Sequence, residues 1–265
     1  MTKLLAIETT DKQGSVAVSA DGKVLFYQKL PDGQRSAQSL VPAIQTTLQQ
    51  VDWSVMSLDA VTVALGPGSF TGLRVGLATS RMLAYAVGAK LLGVNTLQAI
   101  AANMCLARDH GQVVKWKNGQ HVTVAVDAQR GEASAQMFRL IPSRHFAGKL
   151  FPEPVDERRL LPFDTWWTLA DNDGQERERR DTTMEPRNDA PLAFSGPILY
   201  KIADHKPKAV QLLDESLWSP NAVGVSHIAW ERLLSGESDD LLTLQSYYSR
   251  PSAAEEKLGH VSTTS

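Results

Sequence analysis

The segment Leu4-Leu5-Ala6-Ile7-Glu8-Thr9-Thr10-Asp11-Lys12-Gln13-Gly14-Ser15-Val16-Ala17-Val18-Ser19-Ala20-Asp21-Gly22-Lys23-Val24-Leu25-Phe26-Tyr27-Gln28 decides the fold. Leu4–Ile7 and Ser15–Ala20 read as strands joined by the turn Asp11-Lys12-Gln13-Gly14, and Asp21-Gly22 is a hairpin signal that leads into a third strand over Val24–Gln28. A chain that opens on this antiparallel meander is not a dinucleotide-binding βαβ unit, which runs from its first strand directly into a helix. Beyond Pro31-Asp32-Gly33, Leu40, Val41, Ile44 and Leu48 recur at helical spacing and predict a helix from about Ser36 to Val51. A buried strand over Ala60–Leu65, a glycine-rich turn, a helix over Thr71–Ala89, a strand over Lys90–Val94 and a helix from Thr96 to about Ala107 follow. The order βββαβαβα is the core pattern of actin-like and sugar-kinase lobes. The chain therefore reads as a two-lobed α/β protein of the actin-like, ribonuclease H-like class, with residues 1–108 as the first lobe.

Residues His110–Gln120 read as a polar connector into a second lobe over 109–250, with strands at His121–Val126 and Glu132–Leu140 around the turn Ala128-Gln129-Arg130-Gly131. Ala170–Asp189 is dense in charges of both signs and nearly free of large apolar residues, the composition of an exposed, partly disordered insertion. Leu192–Ser195 reads as a strand ending at Gly196-Pro197. Pro220–Gly236 reads as a helix that can pack back on the first lobe, with Ser219 as N-cap and Pro220 at its first position. Residues 251–265 read as a tail.

The composition, 43% hydrophobic and 21% charged, is that of an ordinary globular chain, and 265 residues suffice for two packed lobes. A net charge of −2 argues against a dedicated nucleic-acid-binding domain, which needs a basic excess. No signal peptide is visible, and the apolar stretch Leu73–Val94 is broken by Arg74, Arg81 and Lys90, so no membrane span is expected and the cytoplasm is the expected compartment. The single cysteine, Cys105, reads as a structural residue in an apolar helix.

The turn Gly66-Pro67-Gly68-Ser69-Phe70-Thr71-Gly72-Leu73-Arg74 lies between a strand and a helix, where backbone N–H groups converge on an anion or on another stretch of backbone. No Gly-Lys-Ser/Thr follows, so it is not a Walker A loop, and glycines at 66, 68 and 72 miss the Rossmann spacing. Gly72, Gly76 and Ser80 recur every four residues and give the helix one small-residue face. Such a face suits close helix contact, with the protein's own second helix or across a dimer. Glu8-Thr9-Thr10 closes a strand where actin-like ATPases place an acid and hydroxyls for metal-bound phosphate. The six histidines are scattered without i, i+4 pairing, and no Gly-x-Ser-x-Gly elbow exists.

Taken together, Ala6-Ile7-Glu8-Thr9-Thr10, the stretch Gly66–Gly76 and Val126-Asp127-Ala128-Gln129-Arg130-Gly131-Glu132 resemble the TsaB family, bacterial partners in making threonylcarbamoyladenosine at position 37 of transfer RNAs. Pro220-Asn221-Ala222 and Tyr247-Tyr248-Ser249-Arg250 resemble its C-terminal pattern more loosely, and Ser36 stands where family members often carry histidine. The related catalytic TsaD subunits carry Val-Asn-His-x-x-x-His after the fifth strand; here Thr96 and Ile100 occupy the two metal-ligand positions, and neither side chain replaces an imidazole.

The resemblance thus implies a pseudo-enzyme with no catalytic residues and no metal of its own. It implies docking to a TsaD homologue, or to a second copy, through Phe70, Gly72, Leu73, Val75, Gly76, Thr79, Ser80 and Leu83. It also implies a TsaE-type ATPase as a further partner, tRNA contact only through the complex, and ATP or ADP with magnesium in the complex, near Glu8, Thr9, Thr10, Gly66, Gly68 and Asp127. The competing reading is an actin-like small-molecule kinase or nucleotide hydrolase in which Glu8, Thr9 and Asp127 flank a cleft. A glycoprotein-cleaving metallopeptidase is disfavoured by the missing zinc ligands.

Overall fold

The computed structural model describes residues 1–106, 116–163, 193–205 and 211–249. The charged stretch 170–189 and the tail 251–265 lie outside the described residues.

The first sheet is built from β1 (Lys3–Glu8), β2 (Ser15–Ala20), β3 (Lys23–Lys29), β4 (Ala60–Ala64) and β5 (Lys90–Val94) in the order β3-β2-β1-β4-β5. The meander is antiparallel, and β4 and β5 join it in parallel, with Ala6 opposite Ala17 on one side and Thr62 on the other. Asp21 and Gly22 turn the hairpin with φ of 46° and 82°, the left-handed pair that a two-residue connection requires.

Side chains alternate along each strand, so each face of the sheet buries its own set. Leu5, Ile7, Val16, Val18, Val61 and Val63 face α1 (Ser36–Gln49) and α2 (Phe70–Val87). Leu4, Ala6, Ala17, Ala60 and Leu92 face α3 (Thr96–Leu106) and, from late in the chain, α5 (Ala222–Leu234). Ser69 caps α2, its hydroxyl accepting from Gly72 N at 3.2 Å, and Gly88 ends the helix in the left-handed region.

The second sheet comprises β6 (His121–Asp127), β7 (Glu132–Pro142), β8 (Leu150–Pro154), β9 (Arg159–Pro162), β10 (Ala193–Ser195) and β11 (Gln211–Leu212), with the short helix α4 (Leu199–Ile202) after β10. Its order β8-β7-β6-β10-β11, with β7 antiparallel to the central β6, β8 antiparallel to β7, and β10 and β11 parallel to β6, repeats the topology of the first sheet. Two lobes of one topology are the actin-like arrangement expected from the first lobe alone. Trp116 and Gln120, in the stretch expected to be a polar connector, are instead half-buried and buried, because this segment closes the sheet through Gly119 N to Leu140 O at 2.7 Å.

α3 lies between the lobes. Ala99 and Ala102 pack toward the first sheet, while Leu97, Ile100, Ala101 and Met104 enter the second core with Val122, Val124 and Phe138. α5 crosses α3 closely at Gly224, where a Cβ would stand 2.2 Å from the Ala99 carbonyl oxygen. A buried polar cluster fixes α5 to β2: Trp230 Nε1 donates to Ser19 Oγ at 2.7 Å, and Ser19 and Ser226 share a 2.8 Å hydroxyl contact. The N-cap of α5 is Asn221, not Ser219. Its Oδ1 accepts from Val223 N and Gly224 N at 2.9 and 3.0 Å, so the helix begins two residues later than the proline suggested. After α5 the chain returns across the first lobe: Asp239 N donates to Leu91 O at 2.8 Å and Tyr247 N to Leu65 O at 2.7 Å.

Candidate functional site

The end of β1, the glycine turn and the start of α3 meet at one place. β1 delivers Glu8 wholly buried, and Thr9 and Thr10 turn the chain toward α2. Ser69 N donates to Thr10 O at 2.7 Å, and Thr9 Oγ1 donates to Gly72 O at 2.8 Å. The glycines are explained by this approach. A Cβ would stand 2.4 Å from Thr10 O at Gly68, 1.7 Å from Thr9 O at Gly72 and 2.3 Å from Thr9 Oγ1 at Gly76. Gly66, with φ of 106°, meets the returning C-terminal segment in the same way, 2.4 Å from Tyr247 O. The turn thus holds its own chain: Gly66 N, Ser69 N and Gly72 N are all spent on protein acceptors.

A chain of hydrogen bonds runs through the cluster. Gly66 N donates to Thr96 Oγ1 at 3.0 Å, Thr96 Oγ1 to Thr10 Oγ1 at 3.3 Å, and Thr10 Oγ1 to Glu8 Oε1 at 2.6 Å. Glu8 Oε1 also accepts from Thr10 N at 2.5 Å, while Oε2 is buried without a partner. Burial pushes the Glu8 carboxyl up to about 8, against the pull of the Thr10 hydrogen bonds. At neutral pH the group is chiefly protonated.

The structure divides the residues singled out for nucleotide. Glu8, Thr10, Gly66 and Thr96 are joined by hydrogen bonds, and Thr9 and Gly68 pack beside them. Asp127 closes β6 in the other lobe, where it accepts from Gln129 N at 2.9 Å and pairs with Lys201 Nζ at 2.5 Å; no described hydrogen bond or ion pair links it to Glu8. A magnesium-bound phosphate fits these residues poorly. The single carboxyl is wholly buried with Oε1 taken by Thr10, the threonine hydroxyls are engaged with protein, and the named amides of the turn are committed. At the two positions where the resemblance implies metal ligands in TsaD, Thr96 ties the turn to β1 and Ile100 lies in the second core. Cys105 is half-buried, and burial pushes its thiol up to about 12, so it is no thiolate nucleophile.

The small-residue face of α2 is turned inward, which corrects the expected docking set. Gly72, Leu73, Gly76 and Ser80 are buried, Val75, Thr79 and Leu83 are half-buried, and only Phe70 is exposed. Thr9 and β4 fill the space beside Gly76, so neither a second helix nor a partner can occupy it. The opposite face, which the sequence reading missed, leaves Met82 72% and Tyr85 78% exposed, and the neighbouring α1 leaves Val41 53% exposed. The residues that carry it, Arg74, Ala78, Met82 and Tyr85, were legible as the complementary helical stripe. Phe70 stacks with Tyr248 at 5.0 Å between ring centres and lies under the Arg74 guanidinium at 3.9 Å.

Fold and site together define a two-lobed actin-like protein whose glycine turn is a packing device. Comparison with known proteins agrees on the fold. Residues 33–149 match the TsaD family model, described as tRNA N6-adenosine threonylcarbamoyltransferase. The chain is 30% identical over 175 residues to the Escherichia coli tRNA threonylcarbamoyladenosine biosynthesis protein TsaB, covering 63% of this chain and 71% of that protein. It is 28% identical over 174 residues to the Bacillus subtilis protein of the same name, covering 64% and 67%. YeaZ from Pseudomonas aeruginosa shares the fold with a TM-score of 0.69 at 22% identity, over 94% of this chain and all of that one. The chain belongs to the TsaB family. Among the described residues, no helix is long and apolar enough to cross a membrane.

Proposed function

We propose that this chain is a non-catalytic subunit of the machinery that adds threonylcarbamoyl to adenosine 37 of tRNA, and that it supports a TsaD-type catalytic subunit by docking through the exposed face of α1 and α2. The observation that carries the reading is that face. Met82, Tyr85 and Val41 are large apolar side chains left in water on adjacent helices, which is the composition of an interface core. The family membership supplies the process, since the E. coli and B. subtilis relatives are named for threonylcarbamoyladenosine biosynthesis.

The absence of catalysis is argued from the residues at the site. A protonated Glu8, a structural Thr96 and a core Ile100 leave this chain without the means to bind a metal or to activate a nucleophile there. A TsaE-type ATPase, nucleotide with magnesium and tRNA belong, in this reading, to the assembled complex, which is cytoplasmic. A second copy of the chain can cover the α1–α2 face until the catalytic subunit replaces it. The test is reconstitution: the purified chain alone makes no threonylcarbamoyladenosine, and adding it to the organism's TsaD homologue and the other components restores synthesis. Product from the chain without the TsaD homologue would overturn the reading.

A further inference from the structure

Between the lobes lies a pocket of about 340 Å³, beside the segment where Tyr247 meets Gly66. Its floor is the end of β5 at Gly93 with Ile228 of α5; its walls come from α3, β7, the loop before β9 and the returning C-terminal segment. Gly93 is required on its core side, because a Cβ there would meet Leu65 Cδ1 at 2.2 Å.

The polar groups of the walls are held in fixed orientations. Asn95 Nδ2 donates to Gln136 Oε1 at 2.7 Å, Asn95 Oδ1 accepts from Leu97 N at 2.9 Å, and Gln136 Nε2 donates to Asp156 O at 2.8 Å. Gln98 Nε2 donates to Pro152 O at 2.9 Å, and its Oε1 accepts no hydrogen bond among the described residues. Two guanidinium groups line the pocket, and their states differ. Arg232 is spent, bidentate on Asp239 with a further bond to Glu237 and one to Gly93 O. Arg158, half-buried, has no hydrogen bond or ion pair among the described residues; its guanidinium lies over the Tyr247 ring at 5.4 Å. A planar cation stacked on an aromatic face, with its donors unused at the wall of a preformed pocket, is the arrangement that receives a phosphate or carboxylate.

We infer that this interlobe pocket binds a small organic anion, its phosphate or carboxylate on Arg158 and a hydroxyl donated to Gln98 Oε1. The volume admits a molecule of the size of a sugar phosphate or a hydroxy acid and sits at the lower end of ligand pockets, about 300 Å³ upward. None of the residues used belongs to the α1–α2 face, so this inference stands independently of the docking reading.

The experiment is calorimetric titration of the full chain with ribose 5-phosphate, malate and inorganic phosphate. Ribose 5-phosphate or malate is expected to bind more tightly than inorganic phosphate, and whichever binds identifies the anionic group. Arg158→Gln is expected to weaken that binding about tenfold or more, the loss of a charge-assisted hydrogen-bonded pair, while Lys23→Gln, an exposed cation on β3, leaves it unchanged. Arg158 makes no hydrogen bond among the described residues, so an unchanged melting temperature for Arg158→Gln confirms that the loss is local. No binding by any of the three, equal binding of inorganic phosphate and the organic anions, or an Arg158→Gln variant of unaltered affinity overturns the inference.

Discussion

Gly72 and Thr9 are locked together: the Thr9 hydroxyl donates to Gly72 O at 2.8 Å, and a Cβ on Gly72 would stand 1.7 Å from the Thr9 carbonyl oxygen. The contact joins the end of the central strand to the first turn of α2 and sets the height of the helix above the sheet. Gly72→Ala is expected to destabilise the protein by about 3 kcal/mol or more, since backbone rather than a flexible side chain must yield. Urea unfolding followed by circular dichroism measures this; a loss under about 0.5 kcal/mol, the size of an ordinary surface change, contradicts the packing role.

The buried link between β2 and α5 gives a second expectation. Trp230→Phe keeps most of the ring volume but removes the Nε1 donor to Ser19 Oγ. The cost should be about 1–3 kcal/mol, because a buried hydroxyl cluster loses a partner. Ser19→Ala in the same background should recover part of that cost if the cluster acts as a unit, and a double-mutant cycle reads the coupling.

Glu8 gives the protein a pH signature. Its folded-state pKa, about 8, is raised above the ordinary 4.5, so below pH 4.5 both folded and unfolded chains hold the proton. Between 4.5 and 8 only the folded chain keeps it, and stability falls as pH rises, by on the order of 4 kcal/mol across the window, before levelling off. His227 acts on the acid side. Burial lowers its pKa below 6.5, so the neutral ring's contribution is present above 6.5 and is lost as pH falls. Melting temperature should therefore decline from pH 6.5 to about 8 in the wild type and level off above it, and Glu8→Gln should flatten that limb. Parallel curves for the two proteins would show that Glu8 is ionised in the fold.

The start of α5 separates two neighbouring caps. Asn221→Ala should cost about 1 kcal/mol through loss of the bonds to Val223 N and Gly224 N. Ser219→Ala should be nearly neutral, since it is the Ser219 carbonyl, retained in the variant, that accepts from Asn103 Nδ2.

How much was legible in the sequence follows from the kind of signal each element carries. The first lobe was readable because its strands are continuous apolar runs punctuated by Asp21-Gly22, Gly66 and Gly88; β2 and β5 match their expected bounds. In the second lobe β8 holds Pro152 and Pro154, which argue against a strand, but β8 lies at the edge of the sheet, where a missing N–H costs no ladder bond. β11 has two residues and no pattern to read. The same ambiguity left the small-residue face of α2 without a decided partner. Small residues every four along α2 fit a helix partner or a close strand loop equally well, and only the position of Thr9 in space decides for the loop. Arg158 carried no sequence signal, since its place over the Tyr247 ring, with no hydrogen bond among the described residues, is a property of the fold.

The central claim is that the outer face of α1 and α2, and not the glycine stripe, holds the catalytic subunit. The most direct measurement is the affinity of this chain for its own organism's TsaD homologue, by calorimetry or size-exclusion with light scattering, for wild type and for Met82→Glu with Tyr85→Glu. Both side chains are more than 70% exposed, so the double variant keeps its fold, verified by an unchanged melting temperature. Placing two charges in an interface core is expected to weaken the complex by about a hundredfold or more. A complex of unaltered affinity with the folded double variant contradicts the account.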